Sequence, residues 1–119
     1  MPFAGNRRFD LRVVGESHYE QNLYDLCGPA TDHMRQVAKA AVLTLEANNP
    51  YDQNAVRVDI EGLTVGHLSR SDAAWFRRAC GKPSGSRFMC DAVIVSLRGS
   101  AACDYGVRLD IEGASLRRV

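Results

Sequence analysis

What this chain lacks most plainly is charge of one sign. Fifteen Lys and Arg stand against 14 Asp and Glu, leaving +1 over 119 residues. Proteins that coat duplex backbone carry a large positive excess, because their affinity comes from displacing counterions along many phosphates. Near neutrality fits a site that reads a few nucleotides, or no nucleic acid at all. A transmembrane-length apolar run is also missing, and the basic start Met-Pro-Phe-Ala-Gly-Asn-Arg-Arg has no apolar core behind it. Neither a secretory signal nor a membrane partner is therefore expected. The four cysteines, Cys27, Cys80, Cys90 and Cys103, show no Cys-x-x-Cys spacing and no neighbouring His pattern, which argues against structural zinc. Isolated thiols in apolar neighbourhoods, such as Met89-Cys90, read as small core residues of a reducing compartment. An intracellular location is expected, cytoplasmic or nucleoid in a bacterium.

Catalytic signatures are scarce too. Gly81-Lys82 has Phe76 where a phosphate-binding loop needs its first Gly, and Pro83 follows it. There is no Gly-x-Ser-x-Gly elbow and no His-Glu-x-x-His. A metal-dependent nuclease would need carboxylates that converge. Asp52, Asp59, Asp72 and Asp110 are available, but Asp59 and Asp110 read as outward positions on strands. No catalytic residue, metal ligand or cofactor is expected, and the chain reads as non-enzymatic.

What is present is an ordinary globular composition, 45% hydrophobic and 24% charged. The length suits a single domain over 1–119, with a core of about 9–112 and short flexible ends. Phe9 to Val14 predicts a strand, and Leu23, Leu26 and Cys27 a helix over 19–27 that Gly28 and Pro29 stop. Val37 to Leu45 predicts a long strand whose start is ambiguous, since Ala38 to Ala41 also suits a helix. Val56, Val58 and Ile60 alternate with Arg57 and Asp59; Glu61-Gly62 then turns the chain into a hairpin partner over Leu63 to Leu68. Ser69 with Asp72 opens a helix to about Cys80, 81–87 is a loop, and Phe88 to Leu97 and Tyr105 to Ile111 are strands joined by 98–104. The near-repeat Val56-Arg-Val-Asp-Ile-Glu-Gly and Val107-Arg-Leu-Asp-Ile-Glu-Gly has unmatched flanks, so it reads as two half-buried strands with the same solvent face. The fold class is mainly β: an OB-like or SH3-like antiparallel barrel with two short helices.

The octet Asn49-Pro-Tyr-Asp-Gln-Asn-Ala-Val56 carries the most chemistry. Pro50 fixes its own φ and biases Asn49 towards extended backbone, so Tyr51 is held at low entropic cost. A base stacked on such a ring gains about 1–3 kcal/mol. Ionised Asp52 repels a phosphate but accepts from a free hydroxyl, which favours a nucleotide end terminating in OH. The same residues are also excellent turn formers, and Asn54 and Asn49 suit the turn itself, although Asn49 can also reach sugar or phosphate. His67 and Arg70 bracket the start of the second helix, where free N–H groups attract an anion, so together they offer a phosphate seat. Taken singly, His67 reads better as a half-buried strand residue and Arg70 as a solvated charge; their adjacency at a helix start makes the two readings even. His18 or Tyr19 can cover the other face of a base on Tyr51, and Tyr19 equally suits a core contact. Arg77, Arg78, Lys82 and Arg87 read as a solvated basic face that at most steers a strand inward.

Val13-Val14-Gly15, Asn49-Pro50-Tyr51-Asp52 with Asn54-Ala55-Val56, Val65-Gly66-His67-Leu68 and Asp104-Tyr105-Gly106-Val107 together resemble the HIRAN domain family over roughly 9–112. Its members occur as modules of helicase-like repair translocases and as small bacterial proteins. The resemblance implies an OB-like barrel that captures the 3′-hydroxyl end of single-stranded DNA, with a helicase or other repair protein as a possible partner. It implies that Tyr51 stacks on the terminal base, Asp52 contacts the 3′-hydroxyl, and His67 and Arg70 contact phosphate. His18 stands where the best-known end binders place a second tyrosine, and Leu97 lies nearest to where they use a phenylalanine. Two other readings stand beside it: a module that takes a peptide in the same groove or along a strand edge, and the metal-dependent nuclease.

Overall fold

The computed structural model describes residues 10–99, 103–111 and 117–119. Phe9, the middle of the 98–104 connection and the Glu112-Gly113 end of the second near-repeat lie outside them. In chain order the elements are β1 (Leu11–Val14), α1 (Glu20–Cys27), β2 (Arg35–Leu45), β3 (Val56–Ile60), β4 (Leu63–Leu68), α2 (Arg70–Cys80), β5 (Arg87–Ser96), β6 (Tyr105–Asp110) and the two-residue β7 (Arg117–Arg118). The strands pair antiparallel in the order β2-β3-β4-β1-β6-β5, and β5 returns to β2. The mainly β expectation holds: this is a closed six-stranded antiparallel barrel with two short helices, consistent with an OB-like barrel. β7 adds to the first residues of β5 and was not legible in the sequence.

Alternation puts the apolar side chains inside. Ala41, Leu43 and Leu45 of β2 face the core with Val56, Val58 and Ile60 of β3 and Phe88, Cys90, Ala92 and Ile94 of β5. β2 begins at Arg35, earlier than its apolar pattern suggests, and the alanines near its start are strand, not helix. The reason is tertiary: β2 pairs with β5 continuously from Arg35↔Ser96 to Thr44↔Arg87. That ladder outweighs the helical preference of alanine. Glu61 (φ 51) and Gly62 (φ 80) form the two-residue β3–β4 turn, whose doubly positive φ matches the twist of the flanking strands. α1 lies at one end of the barrel, with Leu23 and Cys27 buried, and a 3-10 turn at Glu16–Tyr19 leads into it. α2 covers the other end, where the Phe76 ring meets Phe88 edge-on at 5.4 Å.

One expectation is corrected. Asp110 lies on the outward side of β6, yet it is 3% exposed, because it forms the floor of a cleft shared with Asp10, Asp72 and Trp75. Asp59 does face outward, and it accepts hydrogen bonds from Arg57 Nε (3.1 Å) and Thr64 Oγ1 (2.7 Å). The cysteines behave as apolar core: Cys27 and Cys90 are buried, and Cys80 and Cys103 pack partly buried against the same cluster. Burial, reinforced by Asp91 and Asp110, pushes the Cys90 thiol up to about 12.

Closure of the barrel depends on β1. Its first two residues pair with β6 (Leu11↔Leu109, Arg12↔Arg108) and its last two with β4 (Val13↔Leu68, Val14↔His67). β4 itself is bulged in its ladder with β3: Val58 pairs with Gly66 but Asp59 with Thr64, so Val65 is an extra residue. The bulge shifts the alternation so that Val65 and Leu68 both point inward while His67 points out. Gly66 (φ 154) sits where a Cβ would come within 2.5 Å of both the Val14 carbonyl oxygen and Val13 Cγ1. Only glycine lets the two backbones approach this closely. On the other side of β1 the ladder with β6 stops at Arg12, and the Val107 amide donates instead to Glu16 Oε2 at 3.1 Å. Burial of the Glu16 carboxyl raises its pKa above the ordinary 4.5, and the amide contacts and Arg12 only partly oppose this.

Gly66→Ala should destabilise the fold by about 1–3 kcal/mol or more, read as a lower urea midpoint. A change smaller than the measurement error would mean the β1–β4 approach is not tight. For Glu16 the folded state holds the proton more strongly than the unfolded state does. Its stabilising contribution is therefore full below the ordinary carboxylate value and is lost as pH rises through the raised one. Glu16→Gln keeps an acceptor for Val107 without that loss, so the stability of the variant relative to the parent should rise between about pH 4 and 7. A flat difference across that range would rule out the burial effect.

Candidate nucleic-acid interface

The segment between β2 and β3 is built as a rigid turn. Glu46 N–H donates to the Ala55 carbonyl (2.9 Å) and closes its base. Asn48 takes the left-handed conformation (φ 60), which asparagine tolerates better than most residues. The Asn49 side-chain oxygen accepts from both Tyr51 N (2.9 Å) and Asp52 N (3.1 Å), and Asp52 Oδ1 accepts from Asn54 N (2.9 Å). Asn49, Asp52 and Asn54 are thus turn builders, as their residue types allow. Asp52 does more than build. Among the described residues nothing hydrogen-bonds its second carboxylate oxygen, which remains an acceptor. The result of this scaffolding is Tyr51, 83% exposed on backbone fixed from both sides.

The helix after β4 supplies the rest. Ser69 caps α2 by accepting from Asp72 N (3.2 Å), as the sequence suggested. Arg70, in the first turn, donates through Nη2 to the Tyr51 carbonyl. His67, turned outward by the bulge, lies 2.6 Å from Glu46 Oε1 through Nε2, with both side chains partly exposed. Tyr51, Asp52, Asn49, Arg70 and His67 are therefore gathered around one turn. His18 and Tyr19 lie apart on the 3-10 turn that follows Val14, which is the strand partner of His67. His18 is exposed and Tyr19 half-buried at the start of α1, and among the described residues no ring contact joins either to Tyr51. Leu97 is half-buried, its amide donating to the Asp104 carbonyl (2.9 Å) in the β5–β6 connection.

Two residues that sequence reasoning did not assign prove central. Glu46 orients His67, but no local pattern announces a contact across 21 residues. Arg77 is not part of a solvated face. Its guanidinium donates to the carbonyls of Glu46 (2.6 Å), Ala55 (3.1 Å) and Asn54 (3.3 Å) and to Ser84 Oγ (2.8 Å). A signal existed: Arg70 and Arg77 are seven apart, which places both on one face of a helix. That face holds the turn from below while Arg70 holds its tip. Only a planar fork with five donors satisfies so many acceptors at once.

The carboxylates do not gather into a metal centre. Asp52 belongs to the turn, Asp59 to Arg57 and Thr64, and Asp72 and Asp110 to the cleft beside Trp75. Among the described residues no group of three or more His, Cys, Asp or Glu could hold a metal ion. Nor is any described helix long and apolar enough to cross a membrane.

Arg77→Lys keeps the charge but not the fork. It should lower stability by about 1.5–3 kcal/mol and speed hydrogen exchange of the amides of 51–55. Unchanged exchange there would remove Arg77 as the support of the turn.

Comparison with curated proteins gives no match, and neither does comparison with solved structures. The family model of the HIRAN domain matches residues 7–113, nearly the whole chain. The motif segments that carry the resemblance fall on β1, on the 46–55 turn, on bulged β4 and on β6. The chain belongs to the HIRAN domain family, a family of non-catalytic DNA-binding modules.

Proposed function

We propose that this protein is a non-enzymatic module that captures the 3′-hydroxyl end of single-stranded DNA, acting in DNA repair or replication-fork processing. The observation that carries the reading is Tyr51, an aromatic ring 83% exposed on a turn braced by Asn49, Arg70 and Arg77. A bare ring on fixed backbone is a stacking platform that loses little entropy when a base lands on it. Beside it, the second oxygen of Asp52 would accept from a terminal hydroxyl and reject a terminal phosphate by charge. Arg70 spends one nitrogen on the turn and keeps others for a phosphate, while His67, held through Nε2 by Glu46, can donate to one through Nδ1 only as the imidazolium. His18 or Tyr19 would close over the far face of the base, and the amide of Asn49 would reach sugar. A helicase or another repair protein would supply any motor activity, and the module would work inside the cell.

Anisotropy of a short labelled strand ending in 3′-OH, compared with the same strand ending in 3′-phosphate, tests this. The hydroxyl end should bind more tightly, Asp52→Asn should narrow the difference, and Tyr51→Ala should remove about 1–3 kcal/mol. Equal affinity for both ends, or a Tyr51→Ala protein that binds as well as the parent, would reject end capture. A basic-residue scan that weakened binding everywhere with equal effect would indicate plain backbone attraction instead.

A further inference from the structure

The outer wall of the barrel carries a second feature next to the turn. Where β1 leaves β6 for β4, a groove of about 280 Å³ opens, lined by Arg12, Val14, Glu16, Gly106, Val107 and Arg108. It is continuous with the Tyr51 region: His67 pairs with Val14 across the β4–β1 ladder, Val14 is 43% exposed, and Arg12 lies two residues back on the same face of β1. Arg12 pairs in turn with Arg108 of β6. Both arginines are exposed, and neither forms an ion pair among the described residues. From His67 to Arg108 is two strand spacings, roughly 10 Å across the wall. In a chain of net charge +1, two adjacent arginines facing one groove carboxylate, Glu16, which Arg12 already influences, still leave a local positive excess.

The floor of the groove is shaped for occupancy. Gly106 has no positive φ, and a Cβ there would find its nearest neighbour, Glu16 Oε2, only at 4.0 Å. Neither backbone strain nor packing therefore explains the absence of a side chain. A side chain at 106 would stand in the groove. Glu16 lies at the base with its carboxylate on the Val107 amide, so a phosphate would be repelled from the floor and drawn to the arginine rim. Val14, on the same face as Arg12, leaves an apolar surface suited to a sugar or base.

We propose that a bound strand continues in the 5′ direction from its terminal nucleotide over Val14 and into this groove, with Arg12 and Arg108 taking the next phosphates. The inference rests on the end-capture reading and adds the path of the strand beyond the end.

The test compares a dinucleotide with an octanucleotide, both ending in 3′-OH, by anisotropy across a salt series. The proteins are the parent, the double variant Arg12→Gln/Arg108→Gln, and Gly106→Leu, which blocks the groove without changing charge. The parent should bind the octanucleotide more tightly than the dinucleotide. The double variant should lose that gain, its octanucleotide salt slope falling by about 1.4, or roughly 0.7 for each phosphate released. Gly106→Leu should also lose the gain, and both variants should bind the dinucleotide like the parent. If the parent gains affinity with length and the variants keep both the gain and the slope, the groove path is wrong while end capture stands. If the parent binds neither oligonucleotide, end capture fails and the path fails with it.

Discussion

A four-residue strand and one missing side chain govern this molecule. β1 is the shared rung that closes the barrel, and it spends two residues on β6 and two on β4. It can reach β4 only because Gly66 lets the backbones approach to a distance that any Cβ would forbid. The bulge at Val65, in the ladder with β3, lies next to this approach. By shifting alternation it buries Leu68 and turns His67 out towards Glu46. The split on the other side of β1 leaves a seam that Glu16 seals with a carboxylate instead of a ladder bond. Barrel closure, the aim of one candidate phosphate ligand and the groove beside it all meet at this one strand.

The 46–55 turn has a different logic. Its tip is held by short-range side-chain contacts that any reader of Asn-Pro-x-Asp would expect, but its base is held by Arg77, 22 residues beyond Ala55 in sequence. Local chemistry sets the shape of the turn, and the helix sets its place on the barrel. Separating the two roles matters, because a turn that formed correctly but swung freely would still present Tyr51 poorly. Arg70 and Arg77 tie it at tip and base, and Ser69 fixes where the helix that carries them begins.

How much of this the sequence disclosed depends on the range of the interactions. Val56, Val58 and Ile60 declared their strand because burial on one face of a hairpin is written in alternate residues. Gly28 ended α1 and Ser69 began α2 as local signals should. The alanines of β2 declared nothing, since their strand state comes from ten rungs with a partner some fifty residues away. At the site, Tyr51, Asp52 and Asn49 were legible as a turn bearing a stacking ring, and His67 with Arg70 as neighbours of a helix start. Glu46 and Arg77 were not read as site residues, because their contacts span the fold. Asp110 misled for the same reason: its outward register is correct, but Trp75 and Asp72 come from another element to line the cleft above it.

The bracing of the 46–55 turn also bears on kinetics. A surface already in one shape presents a ligand with no slow rearrangement to wait for, so encounter is limited by diffusion and orientation. With a net charge of +1, long-range attraction does little to hasten that encounter. If strand ends dock here as proposed, ligands that differ in their fit to Tyr51 and Asp52 would arrive at similar rates and differ chiefly in how long they stay. Discrimination at this turn would then be a matter of residence time.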